Sequence, residues 1–298
     1  MTLKLNIYDQ VTNAIIAELE KGIIPWNRPW INGTYAGAIS HTTGKPYSFL
    51  NQMLLGCKSG EWLTYGQIKA EGGHVKRGEK ASLVVFWSFV QRTELEAVCD
   101  ENGNEIGTRK VVVDSYPVLK GYNVFHIDQC EGIKPRFKNE PVQYDNTPIE
   151  RAEDVIAAYV SREGLKLNIE DCDRACYSPL LDRVQVPQMV QFERVEEYYS
   201  TLFHELTHST GHERRLKREG ITELHFFGDQ TYSKEELVAE MGSAFILRQL
   251  GIECAATFRN SAAYIQSWLK VLKNDHRLIV QAAGKAEQAA RFIITGEK

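Results

Sequence analysis

The sequence predicts an α+β protein of two domains, an α+β unit followed by a mostly helical unit with a small sheet. Three observations carry that prediction. At 298 residues the chain is longer than one hydrophobic core usually organises. Residues 135–148 hold three prolines and no hydrophobic period, which marks a boundary. Before it the periodic segments are short and include β-branched, aromatic runs; after it they are long and helical. The division is therefore 1–138, a linker at 139–149, and 150–298.

The elements follow in order. Ile7, Val11, Ile15 and Leu19 recur every four residues, and Gly22 follows as a helix cap. The prolines of Pro25-Trp26-Asn27-Arg28-Pro29-Trp30 then break regular structure. Short helices are expected at 48–56 and 64–71. A strand is expected at 81–90, with partners at 111–113 and 122–127 and a polar hairpin near 100–107. Past the boundary come a helix at 150–163, a strand pair within 165–187, and helices at 191–210, 233–250 and 258–274.

Composition excludes several classes. With 43% hydrophobic and 25% charged residues, the chain is neither largely disordered nor an integral membrane protein. Its apolar runs, such as 83–87, are far short of a bilayer span. No signal-peptide core follows the start, so a cytoplasmic protein is expected. Six scattered cysteines read as free thiols, and Cys172 and Cys176 have no second pair to complete a metal site. No pattern demands an oligomer. The net charge of −4 hides a gradient: residues 1–93 hold ten Lys/Arg against six Asp/Glu and four of the five tryptophans. A basic, Trp-rich first third points to a nucleic-acid surface.

The sharpest motif is His204-Glu205-Leu206-Thr207-His208, in a stretch free of Gly and Pro. On a helix both imidazoles share a face and can bind one metal ion, with Glu205 beside them as general base. A catalytic zinc needs a third protein ligand. Position 214, where a third histidine would complete the longer HExxHxxGxxH pattern, is Arg, and His212 is a weaker candidate. Glu236 and Glu240, four apart on the next helix, are better ones: one to ligate, the other to orient a histidine. Glu236 is the favoured ligand. The same Glu236 also fits a capping box with Ser233, which needs no metal. Zinc is the expected ion, with another divalent such as Mn2+ as alternative. The segment 177–187 reads as an edge strand suited to pairing with an extended substrate.

In the first third, Gly72 to Lys80 forms a glycine-rich basic turn in which Lys76, Arg77 and Lys80 offer charge to phosphates. Trp26, Trp30 and Tyr47 offer rings on which unstacked bases can lie, with Trp62 and Trp87 equally suited to a core, and Lys45 adds a nearby charge.

Several stretches together resemble one family, the ArdC-type antirestriction proteins of conjugative plasmids, related at the N-terminus to TraC primases. They are Pro25-Trp26 with Pro29-Trp30, residues 62–80, 84–87, 122–132, 177–179, 204–212 with 214–216, and 235–240. The resemblance implies an N-terminal domain that binds single-stranded DNA and a C-terminal zincin-like metallopeptidase domain. It implies His204, His208 and one of Glu236 and Glu240 as ligands, and Glu205 as catalytic base. It further implies protection of incoming plasmid DNA from host restriction during conjugation, with a restriction-system protein as a possible substrate. The alternative is a non-enzymatic single-stranded-DNA-binding protein whose metal site is a scaffold.

Overall fold

The structure, a computed structural model, describes residues 6–27, 37–56, 58–99, 105–137, 148–192, 194–222, 230–252 and 262–297. Helix α1 (Ile7–Leu19) opens on Asn6, whose side chain accepts the Asp9 amide, and Gly22 turns the chain at φ +78°. Its four-residue apolar period buries Val11, Ile15 and Leu19 on one face. After one 3₁₀ turn at Pro25–Asn27 come β1 (Ala38–Ser40), α2 (Phe49–Leu54), β2 (Gly60–Thr64) and α3 (Tyr65–Ala70). Thr64 and Gln67 close a capping box at the start of α3. β3 (His74–Val75), β4 (Ser82–Cys99), β5 (Glu105–His126) and β6 (Cys130–Glu131) complete this half. The main sheet runs β1-β2-β5-β4, and β3 pairs with β6 in a separate ribbon.

The strands expected at 111–113 and 122–127 are one 22-residue strand, and β4 runs nine residues past its expected end. Asp114, Pro117 and Gly121 hid the continuity. β2 pairs with β5 only through Val124–His126, so at Pro117 the strand has no neighbour on its second edge and tolerates a missing donor.

The second half contains α4 (Pro148–Glu163), β7 (Lys166–Glu170), β8 (Cys176–Ser178), β9 (Arg183–Pro187), α5 (Val195–Thr210), α6 (Glu219–Thr222), α7 (Gln230–Leu250), α8 (Ala262–Asn274) and α9 (Leu278–Thr295). Its sheet has three strands rather than two, in the order β7-β9-β8. The expected edge strand is therefore half right: β8 is outermost, whereas β9 is central, with Val184 and Val186 buried between two neighbours. Helix α9 was not anticipated. Much of its buried face is alanine (Ala282, Ala283, Ala286, Ala289, Ala290), whose small side chains let other helices approach closely. Residues 139–147 of the expected linker lie outside the described residues. Among the described residues, no helix is long and apolar enough to cross a membrane.

The largest core cluster crosses both halves. α1 and α2 contribute Val11, Ile15, Phe49 and Met53 to the same cluster as Leu206, Met241, Leu272 and Phe292. The Phe49 ring meets Phe245 of α7 edge-on at 5.0 Å, and its amide donates to Glu287 of α9 at 3.0 Å. Two residues on, the buried Asn51 side chain donates to Val85 O and accepts Val85 N–H, both at 2.8 Å. An amide thus stands in for a neighbouring strand along the outer edge of β4. Short α2 thereby ties the first sheet to α7 and α9.

Candidate metal centre and nucleic-acid face

Helix α5 starts with Glu196 and Glu197 and carries His208 near its end, the charge order a helix dipole favours. His204 and His208 lie one turn apart and are both buried. Their Nε2 atoms approach to 3.1 Å. Glu236 of α7 faces both: Oε2 is 3.5 Å from His204 Nε2, and Oε1 is 3.3 Å from His208 Nε2. Ligands about 2.0–2.1 Å from a tetrahedral ion stand about 3.4 Å from one another, so this triangle has the dimensions of a divalent-ion site. Among the described residues it is the one cluster of His, Cys, Asp and Glu with such convergence.

Helix α7 begins at Gln230, three residues ahead of Ser233, so Ser233 is not a cap and the capping-box use of Glu236 falls away. Glu240 stands behind the triangle, its Oε1 3.8 Å from His204 Nδ1. Glu235 occupies the matching place behind His208, 3.3 Å from Nδ1. Glu235 was missed in the sequence, where the only signal was a third carboxylate beside Glu236. Glu205 is buried on α5, and its charge acts on His208. His212 is not in the cluster; its Nδ1 accepts the Arg214 amide.

The two helices meet closely at Gly242 of α7. A Cβ there would lie 2.6 Å from Thr207 Cγ2, one residue before His208. Only glycine allows the approach that brings Glu236 to the histidines.

Electrostatics favour cation capture. Burial resists the ionised form of Glu236, but hydrogen bonds and charge from His204 and His208 hold its carboxyl far below the usual range. Burial likewise resists ionisation of Glu235, which Arg218 and His208 nevertheless hold down at about 2. Burial alone would lower His208; the surrounding carboxylates win and raise it to about 10 without an ion.

The first-half candidates divide. Trp26 is 1% exposed and belongs to the core, so its expected contact with nucleic acid is corrected. A ring flanked by prolines looked like a loop side chain, yet the 3₁₀ turn drives it under α2 and α7. Trp62 is also buried, its indole N–H donating to Lys58 O. Trp30 lies outside the described residues. Lys45, Lys76, Arg77 and Lys80 are exposed, although Lys76 Nζ donates to Asp128 O at 2.7 Å. Tyr47 is partly buried and starts a line of rings: Tyr47 to Phe86 at 6.0 Å, Phe86 to Tyr122 at 5.8 Å. Phe86 and Tyr122 are exposed on one face of β4 and β5, and exposed Lys120 pairs directly across from Phe86. Trp87, on the opposite face, is exposed too. The run 83–87 is apolar without a break, so no alternation was there to single out Phe86.

Comparison with known proteins gives a consistent picture. Residues 5–125 match the N-terminal domain of the anti-restriction factor ArdC, and residues 151–285 match a zincin-like metallopeptidase family. The chain is 34% identical to the metal-free crystal structure of the antirestriction protein ArdC from plasmid R388, with a TM-score of 0.69. It is 32% identical to the Mn(II)-bound structure, with a TM-score of 0.70; each comparison covers 97% of both chains. A DNA primase TraC of Escherichia coli is 34% identical over 99% of this chain, which spans only 28% of that primase. Protein y4eC of Sinorhizobium fredii is 32% identical over 97% of this chain and 91% of its own length.

Proposed function

Because this chain belongs to the ArdC family of antirestriction proteins, we propose that it binds single-stranded DNA and acts as a zinc-dependent metallopeptidase. In this reading it protects incoming plasmid DNA from restriction in the recipient cytoplasm during conjugation. The observation that carries the peptidase half is the 3.1–3.5 Å triangle of His204, His208 and Glu236. These three would hold the ion. Two nitrogens and one carboxylate suit zinc, and the Mn(II)-bound relative keeps manganese as the alternative. Bound there, a divalent ion would polarise a peptide carbonyl and acidify a water.

The chain's own groups do the rest. The Glu205 carboxylate takes the water proton and returns it to the departing amine nitrogen. Glu235 accepts from Nδ1 of His208, which leaves that ring's Nε2 lone pair to the ion, and Glu240 adds negative charge 3.8 Å behind His204 Nδ1. A restriction-system protein is the proposed substrate, and a single copy of the chain suffices. The DNA half rests on the ring line Tyr47–Phe86–Tyr122, with Lys45 and Lys120 near it and the basic turn of Lys76, Arg77 and Lys80 as further phosphate contacts.

The test is Glu205→Gln, assayed for metal content, single-stranded-DNA binding, proteolysis of restriction subunits, and protection of transferred plasmid. Retained metal and DNA binding with proteolysis and protection lost supports the enzyme. Protection that survives in this variant would mean that the metal centre is a scaffold and DNA binding alone performs the function.

A further inference from the structure

The connection that follows α5 returns one side chain into the centre. Arg218, 6% exposed, grips Glu235 with two nitrogens: Nε donates to Oε2 at 2.9 Å and Nη2 to Oε1 at 2.6 Å. The same guanidinium reaches the end of α5, with Nη2 donating to Thr207 O at 2.7 Å and Nη1 to Thr210 Oγ1 at 2.6 Å. Gly220, two residues on, lies against Glu235, so closely that a Cβ there would be 2.8 Å from the Glu235 Cβ. Glu235 is itself 6% exposed and accepts from His208 Nδ1.

We propose that Arg218 and Glu235 form a lock that fixes His208 as the anchoring ligand, so that Arg218, ten residues outside the histidine motif, sets the affinity of the centre for its divalent ion. The inference rests on the metal-site reading above. An ionised carboxylate behind His208 keeps the proton on Nδ1 and the lone pair on Nε2, aimed at the Glu236 side. A buried carboxylate keeps its charge only beside a compensating one. Arginine supplies that charge as a planar fork with donors left over for α5; lysine, a point charge, cannot fill all four contacts. The two histidines are therefore unequal. His208 stands in a three-member chain of close contacts, whereas the Glu240 oxygen lies 3.8 Å from His204 Nδ1, beyond hydrogen-bond range.

The experiment uses the full chain stripped of metal and titrated with Zn2+ and Mn2+ against a chelator. Co2+ absorption reports ligand geometry, and urea unfolding of the metal-free protein is measured in parallel. Arg218→Gln and Glu235→Gln are expected to bind about 10–100-fold more weakly, with an altered Co2+ spectrum. Arg218→Lys should recover part of the loss, and Glu240→Gln should lose less than Glu235→Gln. Thr210→Val removes one contact of Arg218 with α5 but keeps both of its bonds to Glu235, so it should lose far less than Arg218→Gln or Glu235→Gln. Parental affinity in folded Arg218→Gln or Glu235→Gln overturns the lock. So does an affinity loss in Thr210→Val as large as theirs, which would make Arg218 merely a brace for α5. If Arg218→Gln does not fold, Glu235→Gln, close in shape to the native residue, decides alone. Equal binding by the parent and His208→Ala would instead sink the metal-site reading itself, and the lock with it.

Discussion

Replacing Gly242 with alanine tests whether the closeness of α5 and α7 builds the centre. The added methyl would stand 2.6 Å from Thr207 Cγ2 and 2.9 Å from Oγ1. Thr207 has little room to yield: it is fully buried, and its hydroxyl donates to Phe203 O at 2.7 Å. Overpacking of this kind costs about 1–3 kcal/mol. Turning the hydroxyl away would cost about 1 kcal/mol more, and alanine returns about 1 kcal/mol of helix propensity. The net expectation is a loss of about 1–3 kcal/mol in urea unfolding of the metal-free protein. Metal affinity should fall as well, because parting the helices moves Glu236 away from both histidines. Thr207→Ser deletes the obstructing methyl, so the double variant should regain much of what Gly242→Ala loses. A Gly242→Ala protein as stable as the parent and with the same ion affinity would refute the reasoning, as would strictly additive effects in the pair.

Phe86→Ala should weaken binding of a single-stranded oligonucleotide by about 1–3 kcal/mol, read by fluorescence anisotropy at fixed salt. Trp26→Ala should instead lower stability by about 3–5 kcal/mol while the folded fraction binds DNA normally; the reverse pattern would place the DNA elsewhere. Ion affinity should rise with pH, about tenfold per unit, because the raised His208 holds a proton that the ion must displace below about pH 10. By the same linkage, the stabilisation that protonated His208 gives the metal-free fold is complete below about 6.5 and fades as pH climbs through about 10. Titration calorimetry in buffers of different ionisation enthalpy measures the proton released; a pH-independent affinity contradicts it. Asn51→Ala strands the Val85 N–H and C=O and should cost about 2–5 kcal/mol in urea unfolding, where a change below about 1 kcal/mol would show the edge satisfied some other way.

What the sequence disclosed depended on how local the cause was. The histidine pair was legible because one helical turn sets its spacing, and α1 because its four-residue period faces a core. Glu236 and Glu240 share a helix face, so pattern alone left the choice open; it is the distances to Nε2 and Nδ1 that separate their places. Glu235 and Arg218 were invisible for the opposite reason: their meeting depends on a loop folding back between two helices. Trp26 misled because flanking prolines describe the backbone and say nothing of where one ring is sent. The long hairpin misled because most of its outer part meets solvent on both faces, so burial imposes no alternation on it.

The tie between the two halves has a consequence for how the chain folds. Thr12 donates to His276 O across 264 positions, and Phe49 finds Glu287 across 238. Helices α1 and α2 leave the ribosome long before α7, α8 and α9 exist to cover Val11, Ile15 and Phe49. Contacts so distant in sequence make for slow folding and leave an apolar face waiting during synthesis. The first half made alone should be sticky and aggregation-prone, and chaperone occupancy on the nascent chain should persist until α9 has emerged.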